Sequence, residues 1–199
     1  MEKIILASQS PRRRELLHLA EIDFEVIVAD TDESFPSGLS FEETAIHIAK
    51  NKGLAVAENE KNKRIILAAD TIVVCNEKII GKPKDREHAI QILAELSGQT
   101  HLVITGVFIL KEDEEISFAD STSVSFHALT PEQIEYYVDK YKPYDKAGAY
   151  AIQEWIGAIG IKKVEGDFYN VMGLPISRVV AALKKQPPKS PKGNSVASK

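Results

Sequence analysis

Asp70 stands in Leu67-Ala68-Ala69-Asp70-Thr71-Ile72-Val73-Val74, a run that is otherwise almost wholly apolar. Burying a carboxylate is costly unless it is paired, hydrogen-bonded or bound to a metal. Two kinds of role stay open for it: a structural carboxylate bonded to backbone N–H groups, or a metal ligand or general base. A second candidate is Ser8-Gln9-Ser10-Pro11-Arg12-Arg13-Arg14. Ser10 suits a helix N-cap and Pro11 the first helical position. Arginines in a first turn oppose the helix dipole, so three of them require a counter-anion. A phosphate would supply it, and so would surface carboxylates. Gly81-Lys82-Pro83 fixes a corner from which Lys82 projects. It is no Walker motif, since no glycine-rich loop precedes it and no Ser or Thr follows. Glu33 and Lys52 carry no local signal of their own. In Asp145-Lys146-Ala147-Gly148-Ala149-Tyr150-Ala151-Ile152-Gln153, small residues allow close backbone approach. Gln153 emerges from that run either to read a base or to satisfy backbone groups. His18, His47, His88, His101 and His127 show no metal spacing, and no serine sits in a nucleophile elbow. Zinc hydrolase and Ser-His-Asp chemistries are therefore set aside.

The elements that must position these residues alternate in type. Lys3–Ala7 reads as a short buried strand, and Ser10-Pro11 opens a helix with Leu16, Leu17, Leu19 and Ala20. Phe24–Val28 is a second strand. The spacing predicts a helix from Ser40 to Ala57, with Ser40 and Glu43 in a capping-box pattern. Ile65–Cys75 is a third strand, turning at Asn76-Glu77 into Lys78–Ile80. A helix follows over Asp85–Leu96. Leu102–Leu110 and Ile116–Phe126 read as long antiparallel strands, and Thr130-Pro131 caps a helix through Val138. Ile159–Val164 and Phe168–Val171 read as a last strand pair turning at Glu165-Gly166-Asp167. A final helix runs from about Leu174-Pro175 to Lys184. Hairpins mixed with crossovers imply an α/β fold with a mixed sheet.

At 199 residues, 44% hydrophobic and 27% charged, the chain has the composition of one soluble globular domain. A chain this long buries about 70% of its unfolded surface, so it needs no staples. The single cysteine, Cys75, excludes a disulfide framework and a cysteine zinc cluster. Apolar runs fall far short of the roughly 20 residues of a membrane helix, and the start lacks the apolar stretch of a signal peptide. A cytoplasmic location without a membrane partner is the expectation. Net charge is −4, and residues 186–199 hold Lys189, Lys192 and Lys199 with no acid. That segment reads as a disordered basic tail following a domain over 1–185. The acidic body argues against nucleic acid as partner, because such binding rests on phosphate neutralisation. A small anion held by a local cation cluster remains open.

Taken in order, these segments resemble the Maf family, the septum-formation Maf-like proteins that act as nucleoside triphosphate pyrophosphatases. The resemblance rests on Leu6-Ala7-Ser8-Gln9-Ser10-Pro11-Arg12-Arg13, Glu33, the Lys52 region, Ala69-Asp70-Thr71-Ile72-Val73, Gly81-Lys82-Pro83, Leu96-Ser97-Gly98-Gln99-Thr100-His101, the 145–153 stretch, and Gly166-Asp167-Phe168-Tyr169-Asn170-Val171-Met172-Gly173-Leu174-Pro175. It departs at Ala68, where Gly often stands, and at Glu154-Trp155-Ile156. It implies a bent mixed sheet with surrounding helices and two lobes around a cleft, similar to the inosine triphosphatase-like fold. It implies hydrolysis of a nucleoside triphosphate to monophosphate and pyrophosphate with a divalent metal, Mg²⁺ or Mn²⁺. Arg12, Thr71 and Gln153 resemble the subgroup that prefers dTTP and UTP; another subgroup prefers 7-methyl-GTP. In this reading Ser8, Arg13, Lys52 and Lys82 bind phosphate, Glu33 and Asp70 hold the metal, and Asp70 activates water. House-cleaning of modified nucleotides, a non-catalytic nucleotide-binding role in cell division, and a homodimer are further expectations left open.

Overall fold

The computed structural model describes residues 3–184. The tail expected over 186–199 lies outside the described residues. Seven strands form one mixed sheet: β1 (Ile4–Leu6), β2 (Phe24–Val26), β3 (Ile66–Cys75), β4 (Lys78–Ile80), β5 (Thr100–Lys111), β6 (Glu114–Phe126) and β7 (Ile161–Glu165). Their order is β2-β1-β3-β5-β6-β7, with β4 paired to β3. β1 is parallel to β2 and β3, and the remaining pairs are antiparallel. The helices are α1 (Pro11–Leu19), α2 (Phe41–Ala57), α3 (Arg86–Leu96), α4 (Pro131–Tyr141), α5 (Trp155–Gly160), α6 (Phe168–Met172) and α7 (Ile176–Lys184).

Period-two alternation along β3 divides the core between the two sheet faces. Leu67, Ala69, Val73 and Cys75 join a large cluster with the apolar sides of the other helices, among them Leu16, Leu93, Tyr137 and Val179. Ile66, Ala68, Ile72 and Val74 face the other way, where Ala45, Ala49 and Val56 of α2 cover them. Asp70 belongs by alternation to the α2 face and Thr71 to the opposite one. No helix among the described residues is long and apolar enough to cross a membrane.

The caps behave as their residue types require. Ser40 and Glu43 close a capping box at α2, and Thr130 and Gln133 close another at α4. Two elements differ from the sequence reading. Phe168–Val171, expected as a strand, is the short helix α6, and α5 was not expected at all. The aromatic and β-branched run favours a strand by propensity. Here Asp167 accepts the N–H of Tyr169 at the start, and Gly173, at φ 114°, ends the turn. Local capping overrides propensity, and β7 pairs with β6 instead of with this segment.

Candidate active site

A break in the sheet positions Asp70. On one edge β3 pairs continuously with β5 from Ile66 to Val74. On its other edge it pairs with β1 at Ile66 and Leu67 and with β4 from Val73 to Cys75. Among the described residues no strand covers that edge from Ala69 to Ile72. A cavity of about 610 Å³ opens there, lined by Asp70 and Thr71. Ligands in α/β sheets commonly bind at such discontinuities.

Glycines bring α2 down onto the sheet beside Asp70. Gly106 is the register partner of Asp70 on β5. A Cβ at Gly106 would lie 2.2 Å from the carbonyl carbon of Ala45, and one at Gly53 would lie 2.4 Å from Cδ1 of Phe108. The close approach places Lys52 Nζ 2.6 Å from Asp70 Oδ1 and 2.7 Å from Glu33 Oε1. Glu33 arrives on the loop over 27–40. The hydrogen bond from Lys52 holds its carboxyl below the usual range.

Arg13 and Thr71 form the opposite wall. The arginines at the start of α1 do not act alike. Arg13 is buried, and Arg14 is exposed. Arg13 donates from Nε to the Gly173 carbonyl at 2.8 Å, from Nη1 to Ser8 Oγ at 2.9 Å and from Nη2 to Thr71 Oγ1 at 3.0 Å. All three acceptors are neutral, and among the described residues Arg13 makes no ion pair. Burial lowers its pKa to about 10, so it stays charged at neutral pH. The counter-anion expected from sequence is thus not supplied to Arg13 by an adjoining carboxylate. Ser10 stands at the N-cap, but its side chain makes no capping bond. Ser8 Oγ accepts the Ser10 N–H instead, at 3.3 Å. Arg12 reaches Asp145, Nη1 to Oδ2, at 3.3 Å.

The remaining wall comes from the 145–153 stretch and the corner after β4. Gly148, at φ 70°, packs on Val73 and donates its N–H to the Gly81 carbonyl at 3.2 Å. This bond ties the Lys82 corner to the turn at Ala147–Ala149. Lys146 is buried, with Nζ 2.7 Å from Asp145 and 3.7 Å from Glu154. The Tyr137 hydroxyl donates to Glu154 and accepts the N–H of Ala151, the latter at 3.2 Å. The cavity is therefore edged by Arg12, Arg13, Lys52, Lys82 and Lys146 against Asp30, Glu33, Asp70 and Asp145. Cations gather here although the whole chain is acidic.

Of the sequence-derived candidates, Ser8, Arg12, Arg13, Glu33, Lys52, Asp70, Thr71 and Lys82 all line this one cavity. Gln153 does not. It is exposed in the turn beyond Ala151, the last residue of that stretch to line the wall. Asp145, Lys146 and Tyr150 line the cavity without having been singled out. Asp145 and Lys146 lie in a motif marked by its small residues, and nothing in their own types distinguishes them from surface charges.

Among the described residues no group of three or more His, Cys, Asp or Glu could hold a metal ion. Glu33 and Asp70, joined through Lys52, are a two-carboxylate oxygen set. That set fits a hard cation that takes one or two carboxylates and fills its shell with water and substrate phosphate. It does not fit a metal caged by protein alone.

The family model described as "Maf-like protein" matches residues 3–186. A dTTP/UTP pyrophosphatase of Parabacteroides distasonis is 48% identical over 92% of this chain and 95% of its own length. Proteins of the same name from Bacteroides thetaiotaomicron and Bacillus mycoides are 46% and 45% identical, over 92% and 93% of this chain and 95% and 96% of their own lengths. The structure of a HAM1 protein from Coxiella burnetii superposes with a TM-score of 0.42 at 18% identity, covering 63% of this chain and 73% of that one. From the family match and the identity over nearly the full described length, the chain belongs to the Maf-like protein family.

Proposed function

We propose that this chain hydrolyses nucleoside triphosphates, dTTP and UTP, to the monophosphate and pyrophosphate. The observation that carries the reading is Asp70 at the uncovered edge of β3, with Lys52 bonded to it and further cations around the same cavity. Relatives matched over 95% of their own length that bear the name dTTP/UTP pyrophosphatase support it.

A triphosphate needs its oxygens neutralised before a nucleophile can approach phosphorus. Arg13, Lys52, Lys82 and Arg12 supply that charge, and Ser8 adds a hydroxyl. Asp70 is the base. It orients a water and takes its proton as the water oxygen bonds to the α-phosphorus. The bond from that phosphorus to the bridging oxygen breaks, and pyrophosphate leaves with the electron pair. Lys82, on a rigid corner, faces the charge that develops on the leaving group. Glu33 and Asp70 would hold a divalent cation, Mg²⁺ or Mn²⁺, which supplies further charge neutralisation when bound. Thr71 and Arg12, in the wall, select the base, together with Gln153 from the turn beyond Ala151. Lys52 bridges the two carboxylates, and a bound triphosphate gives its ammonium a competing partner.

Turnover in ¹⁸O-labelled water tests the bond broken. Label in the monophosphate is expected. Label confined to pyrophosphate, or release of single phosphates, would overturn the reading.

A further inference from the structure

A chain of hydroxyls runs from Arg13 into the core. Arg13 Nη2 donates to Thr71 Oγ1 at 3.0 Å, Thr71 Oγ1 lies 2.9 Å from Thr105 Oγ1, and Thr105 donates to the Asn170 carbonyl at 3.1 Å. Its two ends fix its direction. A guanidinium only donates, and a backbone carbonyl only accepts. Thr105 is 0% exposed and has one proton, which goes to Asn170. Thr71 must therefore give its own proton to Thr105. Asn170 is equally fixed: its Nδ2 donates to the Val103 carbonyl at 3.0 Å and to Thr122 Oγ1 at 2.9 Å. Thr122 in turn donates to the Asp167 carbonyl at 3.0 Å.

Thr71 lines the cavity with its proton spent and one lone pair taken by Arg13. It has only the second lone pair to offer a ligand. An ionised phosphate oxygen is itself an acceptor and gains nothing there. An N–H does. We propose that Thr105 is a positioning residue that determines specificity: by taking the proton of Thr71 it makes this wall an acceptor only. With Thr71 facing N3 of the base, the site then favours a pyrimidine that carries a proton there, uracil or thymine, over cytosine, whose N3 bears a lone pair and whose N–H donor is the neighbouring N4 amino group. The proposal rests on the triphosphate reading above and adds a residue that touches no substrate.

The test is kcat/KM for UTP and CTP with the full chain, compared among wild type, Thr105→Val and Thr105→Ser. Valine keeps the shape and removes the acceptor, so the Thr71 hydroxyl is freed to donate to cytosine. The UTP/CTP ratio is expected to fall by about 5- to 150-fold, the range set by one unpaired buried polar group, and serine should restore it. A merely structural role would lower both substrates together. An unchanged ratio in Thr105→Val, or a lost ratio that serine does not restore, overturns the proposal. Because Thr105 is wholly buried, Thr105→Ala serves as a second variant with the same expected ratio if valine does not fold. A wild-type ratio near one also overturns it while leaving pyrophosphate release intact. Absence of pyrophosphate release with every nucleotide would instead overturn the triphosphate reading itself.

Discussion

Asp70 Oδ1 accepts from Lys52 at 2.6 Å, and among the described residues Oδ2 has no hydrogen-bond partner. One oxygen thus anchors the carboxylate and the other is open to a water. Asp70→Asn keeps the shape and removes charge and basicity. Lys52 keeps Glu33 at 2.7 Å, so the substitution leaves no wholly unpaired ammonium. The expected result is a loss of about 10²- to 10⁴-fold in kcat at saturating metal, with an unchanged circular dichroism spectrum. A variant within about threefold of wild type would reduce Asp70 to a structural part. At this scale the sequence was informative where a residue broke its local pattern. Asp70 in an apolar strand and three arginines at a helix start were legible for that reason. Thr105 and Asn170 were not, because a threonine in a strand and an asparagine in an aromatic run break no pattern. Their roles arise from partners 34 and 65 positions away.

The element that delivers Lys52 is α2, and its height above the sheet is set at Gly106. A methyl there would lie 2.2 Å from a backbone carbon of Ala45 and 2.4 Å from the backbone nitrogen of Ile46. Neither can swing aside as a side chain would, so α2 must move away from β5. Overpacking of this kind typically costs about 1–3 kcal/mol. Gly106→Ala is expected to lower the urea midpoint by that order and to reduce turnover further than the stability loss explains, since Lys52 is displaced from Asp70. Gly81→Ala is the control, because nothing lies within 4 Å of a Cβ there. Equal midpoints for the two variants would show that α2 is not held at Gly106. The strands and helices around this contact were legible from caps and period, Ser40 with Glu43 most plainly. Helices α5 and α6 were not, although the strand between them was. A six-residue helix with two glycines has little propensity to announce it, and α6 is set by Asp167 and Gly173 at its ends. The open edge of β3 was also illegible, because register between β1, β3 and β4 is a property of the assembled sheet.

For the molecule as a whole, acid sensitivity should begin well above the carboxylate range. His101, 1% exposed at the start of β5, packs edge-on against Phe126 and Tyr150 with ring centroids 5.2 and 5.4 Å apart. Its Nε2 lies 2.8 Å from the Tyr150 hydroxyl, and among the described residues Nδ1 has no partner. Charging the ring would bury a proton on that unpaired nitrogen. Burial accordingly lowers its pKa from 6.5 to about 4. Between these two values the unfolded chain binds a proton that the folded chain does not. Stability therefore falls as pH falls through that window, and the total loss approaches about 3 kcal/mol near pH 4. That is a large share of the ~5–15 kcal/mol that holds a typical domain. Glu33 acts lower: its pKa is depressed by Lys52, so its contribution is present above its unfolded value of 4.5 and is lost only below it. The urea midpoint of the wild type should drop between pH 6.5 and 4.5, and His101→Gln, which keeps a polar partner for Tyr150 but cannot titrate, should flatten that slope. Parallel slopes for the two proteins would assign the acid sensitivity to other groups.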